Sequence, residues 1–240
     1  MQGGERVNLS SPITLCKNEE VSTMKVIAIN GGPRKGWNTH TLLAKMLEGA
    51  EANGAEVEMV NLYDLNFKGC IGCLGCKRKD GGSVGRCVIK DELRPVLDRI
   101  AECDALILGS PIYLSEVTGE LRSFIERLMF QYISYDKTGE QLYKGNITKT
   151  AFVFTTNCPE AMYETVGYTR LFQGYENFLG RFFGNGNCKV LAASETWQID
   201  DYDKYLMGMF DVEAKRRRRE EVFPQDCEKA VEIGKWLTEK

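Results

Sequence analysis

Histidine is almost missing from this chain. Its 240 residues hold one, His40, so hydrolysis built on a histidine with an acid and a nucleophile has no material here. Long apolar runs are missing too: no stretch approaches the roughly 18–20 residues that span a bilayer, and the polar start shows no signal-peptide core. Net charge is only −3, which gives nucleic acid or an anionic membrane no global attraction. Neither G-x-x-x-x-G-K-[ST] nor G-x-G-x-x-G occurs, so the nucleotide P-loop and the dinucleotide fingerprint are both absent. There is no internal repeat and no low-complexity tract. The remaining composition, 43% hydrophobic and 27% charged, suffices for one well-cored domain with an elaboration.

What is present is concentrated in Lys25–Leu43, KVIAINGGPRKGWNTHTLL. Val26, Ile27 and Ile29 form a short β-branched run, Gly31-Gly32-Pro33 breaks it, and Leu42, Leu43, Met46 and Leu47 follow at helical spacing from Asn38. Strand, tight loop and helix start in that order make an anion site. The first N–H groups of a helix have no internal partner, and its dipole adds partial positive charge. Gly31 and Gly32 permit close backbone approach, Arg34 and Lys35 add full charges, and Asn38 and Thr39 are expected to supply a cap and a hydroxyl donor. A single phosphomonoester on this loop suggests FMN; the plainer reading is a Gly-rich turn with Arg34 and Lys35 in water. His40 reads as a packing or phosphate-neighbouring residue rather than a general acid.

Further along, EVEMVN (Glu56–Asn61), ALILG (Ala105–Gly109), TAFVFT (Thr150–Thr155) and CKVLAA (Cys188–Ala193) read as strands. Helical patterns occupy Asp91–Ala101, Gly119–Met129, Tyr168–Phe183 and the chain from about Tyr202, ending with Cys227–Leu237. Residues 1–23 read as an extension, a candidate for disorder, and Cys16 in it as an incidental thiol. Five apolar strands alternating with helices mean a parallel sheet covered on both faces. In a doubly wound sheet of order 2-1-3-4-5, ligands bind beyond the carboxyl ends of strands 1 and 3. That brings Gly31–Thr39 beside SPIYLSEVT (Ser110–Thr118), where Ser110, Ser115 and Thr118 offer hydroxyls and Tyr113 an aromatic face, with Gly119 opening the next helix. Thr155, Thr156 and Asn157 end on the same side and are expected to border the ring.

The loop GGPRKGWNTHTLL resembles the G-S-P-R-x-x-x-N-T phosphate loop of the NAD(P)H-dependent FMN reductase and iron–sulfur flavoprotein group. SPIYLSEVTGELRSFIERL resembles that group's S-P-x-Y-x-x-x-x-T-G-x-L-x-x-F-x-D-R segment, with Glu126 in place of Asp. The resemblance implies a flavodoxin-like domain over residues 24–240, with a Cys-rich insertion at 66–90 and a helical elaboration from about 202. It implies FMN held by Arg34, Asn38 and Thr39 at the phosphate and by Pro111, Ile112 and Tyr113 near the ring. Gly32 stands where the group often has Ser, which removes one side-chain contact but leaves the backbone cradle.

Nine cysteines in a chain without an export signal argue for reduced thiols or metal rather than disulfides, and for a cytoplasmic protein. Cys70, Cys73 and Cys76 follow C-x2-C-x2-C, and Cys87 comes next, after a ten-residue gap. Three readings stand: a [4Fe–4S] cluster, cluster-free thiols, or structural zinc, for which two separated C-x2-C pairs are the usual pattern. Resembling iron–sulfur flavoproteins carry a compact four-Cys loop with a [4Fe–4S] cluster here, with a shorter last gap. Of the rest, Cys103 and Cys188 read as buried hydrophobes, Cys227 as structural, and Cys158 as lying on the ligand side. Lys215–Arg219, KRRRR, flanked by Glu213, Glu220 and Glu221, reads as a solvated helix face. Phe172, Tyr175, Phe178, Phe182 and Phe183 read as core or subunit interface.

The expected function is FMN-dependent electron transfer between NAD(P)H or a reduced carrier and an acceptor, with a cluster in the Cys70–Cys87 loop. The alternatives are a cluster-free NAD(P)H-dependent FMN or quinone reductase and a non-catalytic flavodoxin-like carrier. A zinc-stabilised binding module is a third reading. A homodimer or homotetramer, and a ferredoxin-type redox partner, are expectations from the resemblance.

Overall fold

The computed structural model describes residues 23–239; the expected extension, Thr23 apart, and its Cys16 lie outside them. Five strands, β1 (Lys25–Asn30), β2 (Glu56–Asn61), β3 (Ala105–Pro111), β4 (Lys149–Thr155) and β5 (Cys188–Ala193), form one sheet. All neighbours are parallel, in the order β2-β1-β3-β4-β5. The flavodoxin-like arrangement expected from the alternation of elements is therefore the one that forms. The helices are α1 (Asn38–Ala52), α2 (Leu93–Ala101), α3 (Gly119–Phe130), α4 (Tyr168–Phe182), α5 (Val212–Arg217) and α6 (Phe223–Thr238).

Strand alternation sorts the core into two halves of different coarseness. Ile27, Ile29, Leu106, Leu108, Phe152 and Phe154 face α2, α3 and α4. Val26, Ala28, Ala105, Ile107, Ala151 and Val153 face α1 and α6. Each large side chain buried on the first face contributes roughly 1.5–3 kcal/mol. Phe152 and Phe154 stack with ring centroids 4.0 Å apart, and Phe172 lies 4.5 Å from Phe154. Of the aromatic set, Phe172, Tyr175 and Phe183 are core, while Phe178 and Phe182 are half-buried at its edge.

On the second face, α1 and α6 meet backbone to backbone. A Cβ on Gly49 would fall 2.1 Å from the Val231 carbonyl oxygen, and one on Gly234 would fall 1.9 Å from that of Met46. Asn53 Nδ2 donates to Lys235 O and Thr238 Oγ1 at 3.1 and 3.0 Å, and Lys149 Nζ to Trp236 O at 2.9 Å, locking the end of α6 down.

The C-terminal region departs from the expected helix. After one turn at Tyr202–Lys204 the chain is irregular until Asp211, whose carboxylate accepts from Ala214 N at 2.9 Å and starts α5. α5 then runs into α6 through a wide π turn at Arg218–Val222. Pro224 gives the reason: it has no N–H to continue the ladder, and its ring would strike the carbonyl one turn back. Asn38 also differs from expectation. It is the first residue of α1, Trp37 occupies the cap position, and no side chain caps there.

Gly234→Ala is expected to cost about 1–3 kcal/mol, as overpacking of a tight contact does, and to lower Tm by several degrees in a circular-dichroism melt. Gly174→Ala is the control: its methyl meets nothing within 4 Å, and Tm should hold or rise. Equal losses in both variants would sink the close-packing account.

Candidate functional site

The crevice begins where β1 and β3 part. Gly31 N donates to Gly109 O at 2.8 Å, and a Cβ on Gly31 would lie 2.6 Å from Leu121 Cβ, so glycine is what lets the loop pass α3. Buried Asn30 shapes the next residue: its Oδ1 accepts from Gly32 N at 2.9 Å while its Nδ2 donates to Asn61 Oδ1. Thr118 Oγ1 donates to Gly31 O at 2.6 Å and accepts from Leu121 N, capping α3, and Thr118 N donates to Ser110 Oγ at 3.0 Å. Ser110, Thr118 and Gly31 therefore tie the two loops together. They stand behind the cavity rather than in its wall, and Gly119 opens α3 beside them.

The cavity itself is about 200 Å³. Gly32, Pro33, Arg34, Asn38 and Thr39 form one wall, Pro111, Ile112 and Tyr113 a second, and Thr155, Thr156, Asn157 and Cys158 a third. All three loops converge as the strand order requires. Thr39 and Thr155 join across it through their hydroxyls at 2.7 Å. Among the described residues, no oxygen accepts from the backbone N–H groups of Asn38, Thr39 or His40, the first turn of α1. Unpaired N–H groups at a helix start, with Asn38, Thr39 and Arg34 in the cavity wall, are the kind of donor set a phosphate needs, so this wall fits a phosphomonoester. Ser115 lies elsewhere, on the α3–α4 side, in the left-handed backbone region at φ 64°.

The segment after β5 also reaches the site. Arg34 Nη1 donates to Gln198 O while its guanidinium lies 4.1 Å over the Trp37 ring. Asn38 Nδ2 donates to Trp197 O at 2.7 Å, and Arg219 Nη1 donates to Asn38 Oδ1 at 3.1 Å. The basic run Lys215–Arg219 is thus not a solvated face. Arg216 and Arg217 are exposed, but Lys215 is buried and bonded to Asn157 Oδ1, and Arg218 pairs with buried Asp226. Burial lowers the Lys215 pKa, against the opposing pull of Glu195. The flanking glutamates hid this, because polarity along a helix does not say which turn meets another element. Asn30 was missed as well; its only signal is its place directly before Gly31-Gly32.

The four cysteines Cys70, Cys73, Cys76 and Cys87 line one small cavity at the far end of α3, together with Arg127, Phe130 and Gln131. The ten-residue gap before Cys87 is absorbed by a turn closed by Gly85 N donating to Cys76 O at 3.0 Å and Ser83 Oγ to Gly75 O at 2.9 Å. Cys87 N donates to Gln131 Oε1 at 2.9 Å, and Arg127 Nε donates to Cys87 Sγ at 3.1 Å. Arg127 is held by Asp91 at 2.8 Å and by Lys68 O. Gln131 Nε2 is buried with no partner among the described residues. Burial pushes the Cys76 thiol up, with Lys77 acting the other way. The cavity is about 20 Å³, and among the described residues no three Cys, His, Asp or Glu side chains converge tightly enough for a single metal ion. A cubane cluster spreads its four thiolates over a larger object, and an orphaned buried N–H among them suits a sulfide acceptor. In chemistry, four thiols with an unpaired buried N–H match a cluster, although the cavity is smaller than one.

A larger groove of about 840 Å³ runs between α3 and α4, from Cys70 and Gly72 past Met129 and Phe178 to Ser115 and Glu116. No helix among the described residues is long and apolar enough to cross a membrane.

Residues 24–152 match the family described as NADPH-dependent FMN reductase. The chain is 38% identical over 104 residues to an iron–sulfur flavoprotein of Methanocaldococcus jannaschii, covering 43% of this chain and 51% of that one. It is 38% identical over 104 residues to an iron–sulfur flavoprotein of Archaeoglobus fulgidus, covering 43% and 48%. The chain thus spans about half the length of the curated relatives it matches. Among solved structures it is similar to an NAD(P)H:quinone oxidoreductase from Methanothermobacter marburgensis, with TM-score 0.64 and 16% identity over 91% of this chain and 99% of that one. It is also similar to an FMN-dependent NADH-azoreductase from Bacillus anthracis, with TM-score 0.60 and 15% identity over 90% and 100%. At such identities the structural likeness speaks for the fold alone.

Thiol chemistry distinguishes these positions. Burial pushes the Cys103 thiol to about 12 and the Cys188 thiol to about 11, so little thiolate, the reactive form, is present at pH 8. Cys73 is exposed. In reduced, chelator-treated protein, iodoacetamide at pH 8 should alkylate Cys73 first, and Cys103 and Cys188 at least roughly tenfold more slowly, with their rates rising as pH climbs. Peptide mass spectrometry reads the order; early labelling of Cys103 would contradict its burial.

Proposed function

The chain belongs to the NADPH-dependent FMN reductase family, and from that premise we propose that it is an FMN-dependent oxidoreductase. It takes electrons from NAD(P)H or a reduced carrier and passes them to an acceptor, in the cytoplasm, with residues 24–240 as one FMN-binding domain. The observation that carries this reading is the first turn of α1, whose unpaired N–H groups begin at Asn38 and Thr39, two residues that line the same cavity as Arg34 and the Pro111–Tyr113 loop.

In this reading Gly31, Gly32 and Pro33 bring the backbone to the phosphate, and Arg34, Asn38 and Thr39 bind it. Pro111, Ile112 and Tyr113 lie along the ring, and Thr155, Thr156 and Asn157 border its edge. Ser110, Thr118 and Gly119 act one step back by fixing the two loops against each other. Bound FMN supplies the exchange of hydride pairs for single electrons; the chain's own residues bind, orient and shield it.

The same proposal gives Cys70, Cys73, Cys76 and Cys87 to a [4Fe–4S] cluster. The specific support is buried Gln131 Nε2, which lacks an acceptor in a cavity walled by four thiols, beside Arg127, which already donates to Cys87. The two matched relatives are named as iron–sulfur flavoproteins. A homodimer or homotetramer is part of the reading, and so is exchange with a ferredoxin-type partner.

Protein purified without oxygen should show flavin absorbance on a broad iron–sulfur background, with about four irons and matching sulfide per chain. Flavin without iron would leave a cluster-free reductase. Flavin without NAD(P)H turnover on any artificial acceptor would leave an electron carrier. In the Arg34→Ala, Asn38→Ala variant, FMN affinity should fall at least tenfold, about 1.4 kcal/mol, measured by fluorescence titration of apoprotein. Unchanged affinity would remove these residues from the phosphate site.

A further inference from the structure

Lys215 is a cation that the fold has gone to some length to bury. It is 6% exposed. Its Nζ donates to Asn157 Oδ1 and, at 3.4 Å, to the Glu195 carbonyl, and lies 5.2 Å from the centre of the Phe210 ring. The helix that carries it is fixed at both ends, by the Asp211 cap and by the Arg218–Asp226 pair. Burying an ammonium is costly unless its bonds compensate, and this one spends its principal bond on a residue in the wall of the proposed FMN cavity.

That bond has a directional consequence. An ammonium only donates, so the Asn157 carboxamide must offer it the oxygen and turn its nitrogen the other way. Among the described residues Asn157 Nδ2 donates to nothing, and the residue lines the cavity. We infer that Lys215 is a positioning residue for the flavin: it holds Asn157 as a hydrogen-bond donor toward the ring edge and sets a fixed positive charge behind it, favouring reduced over oxidised FMN.

The inference rests on the FMN reading above and deepens it. Hydride transfer from a reduced nicotinamide adds two electrons and one proton to the flavin and leaves the nicotinamide oxidised, so the ring gains one negative charge. A nearby buried cation is worth more to that form than to the neutral one. Lys215 lies outside the 24–152 segment that matches the family.

The test is the midpoint potential of bound FMN in the wild-type protein and in Lys215→Met, Lys215→Gln and Lys215→Arg, by spectroelectrochemistry, with the affinity for oxidised FMN measured alongside. Removing the charge should weaken reduced relative to oxidised binding tenfold or more, which for a two-electron couple moves the potential about 30 mV more negative. Affinity for oxidised FMN should change less than threefold, and Lys215→Arg should stay near the wild-type potential. Wild-type potentials in both neutral variants, or an equal shift in Lys215→Arg, would overturn the role of the charge while leaving the FMN site standing. Failure of the wild-type protein to bind FMN at all would overturn the site reading itself, and the inference with it.

Discussion

The approach of Gly31 to Gly109 is the constraint on which the rest of the molecule depends. In a doubly wound parallel sheet the chain leaves the first and third strands in opposite directions, and a crevice opens only if the two exits can pass without filling it. Here the Gly31 N–H bonds across to Gly109 O, its own carbonyl accepts from Thr118 Oγ1, and Leu121 occupies the space where any Cβ would stand. The hydroxyls of Ser110 and Thr118 are consumed in this junction. What remains free at the crevice is backbone N–H and the side chains one or two residues further on.

A second close approach sets how the C-terminal region reaches that crevice. The Ala and Val residues on one face of the sheet, with Gly49 and Gly234 between the helices, let α6 lie directly on α1. Because α1 begins at the loop that follows β1, the chain just before α6 arrives beside Asn38. The wide turn that Pro224 imposes swings Arg218 inward to Asp226 and Arg219 to Asn38, and α5 carries Lys215 on to the third loop. Helix packing on one face of the sheet thus decides which charges surround the ligand cavity at its edge.

Much of this was legible in the sequence because it is encoded locally. A β-branched run followed by Gly-Gly-Pro and a helical period specifies strand, loop and helix within some twenty residues, and five such units leave few topologies. The loops that line the cavity follow from strand order alone. What could not be read needed contacts over long separations. Ser110 and Thr118 read as hydroxyls free for a ligand, but in the fold Ser110 Oγ donates to Pro111 O and accepts from Thr118 N, and Thr118 Oγ1 donates to Gly31 O and accepts from Leu121 N. Asn38 looks like a cap until Trp197 and Arg219 are found on its amide. The basic run looks solvated until its helix is docked, since the residues it meets, Asn157 and Asn38, are 58 and 181 positions away.

α3 links the two candidate redox centres. Thr118 caps its start beside the crevice between β1 and β3, and Arg127, Phe130 and Gln131 at its end wall the cysteine loop. Twelve residues of helix span about 18 Å, so within one chain the two centres stand roughly a helix length apart. The groove between α3 and α4 covers that span on the surface, with Cys70 at one end and Ser115 and Glu116 at the other. Its walls are largely apolar, with Ile125, Met129, Leu171 and Phe178 among them, which is unusual for surface left in water. α3 thus holds the two candidate centres at its opposite ends and leaves one side exposed along the length between them.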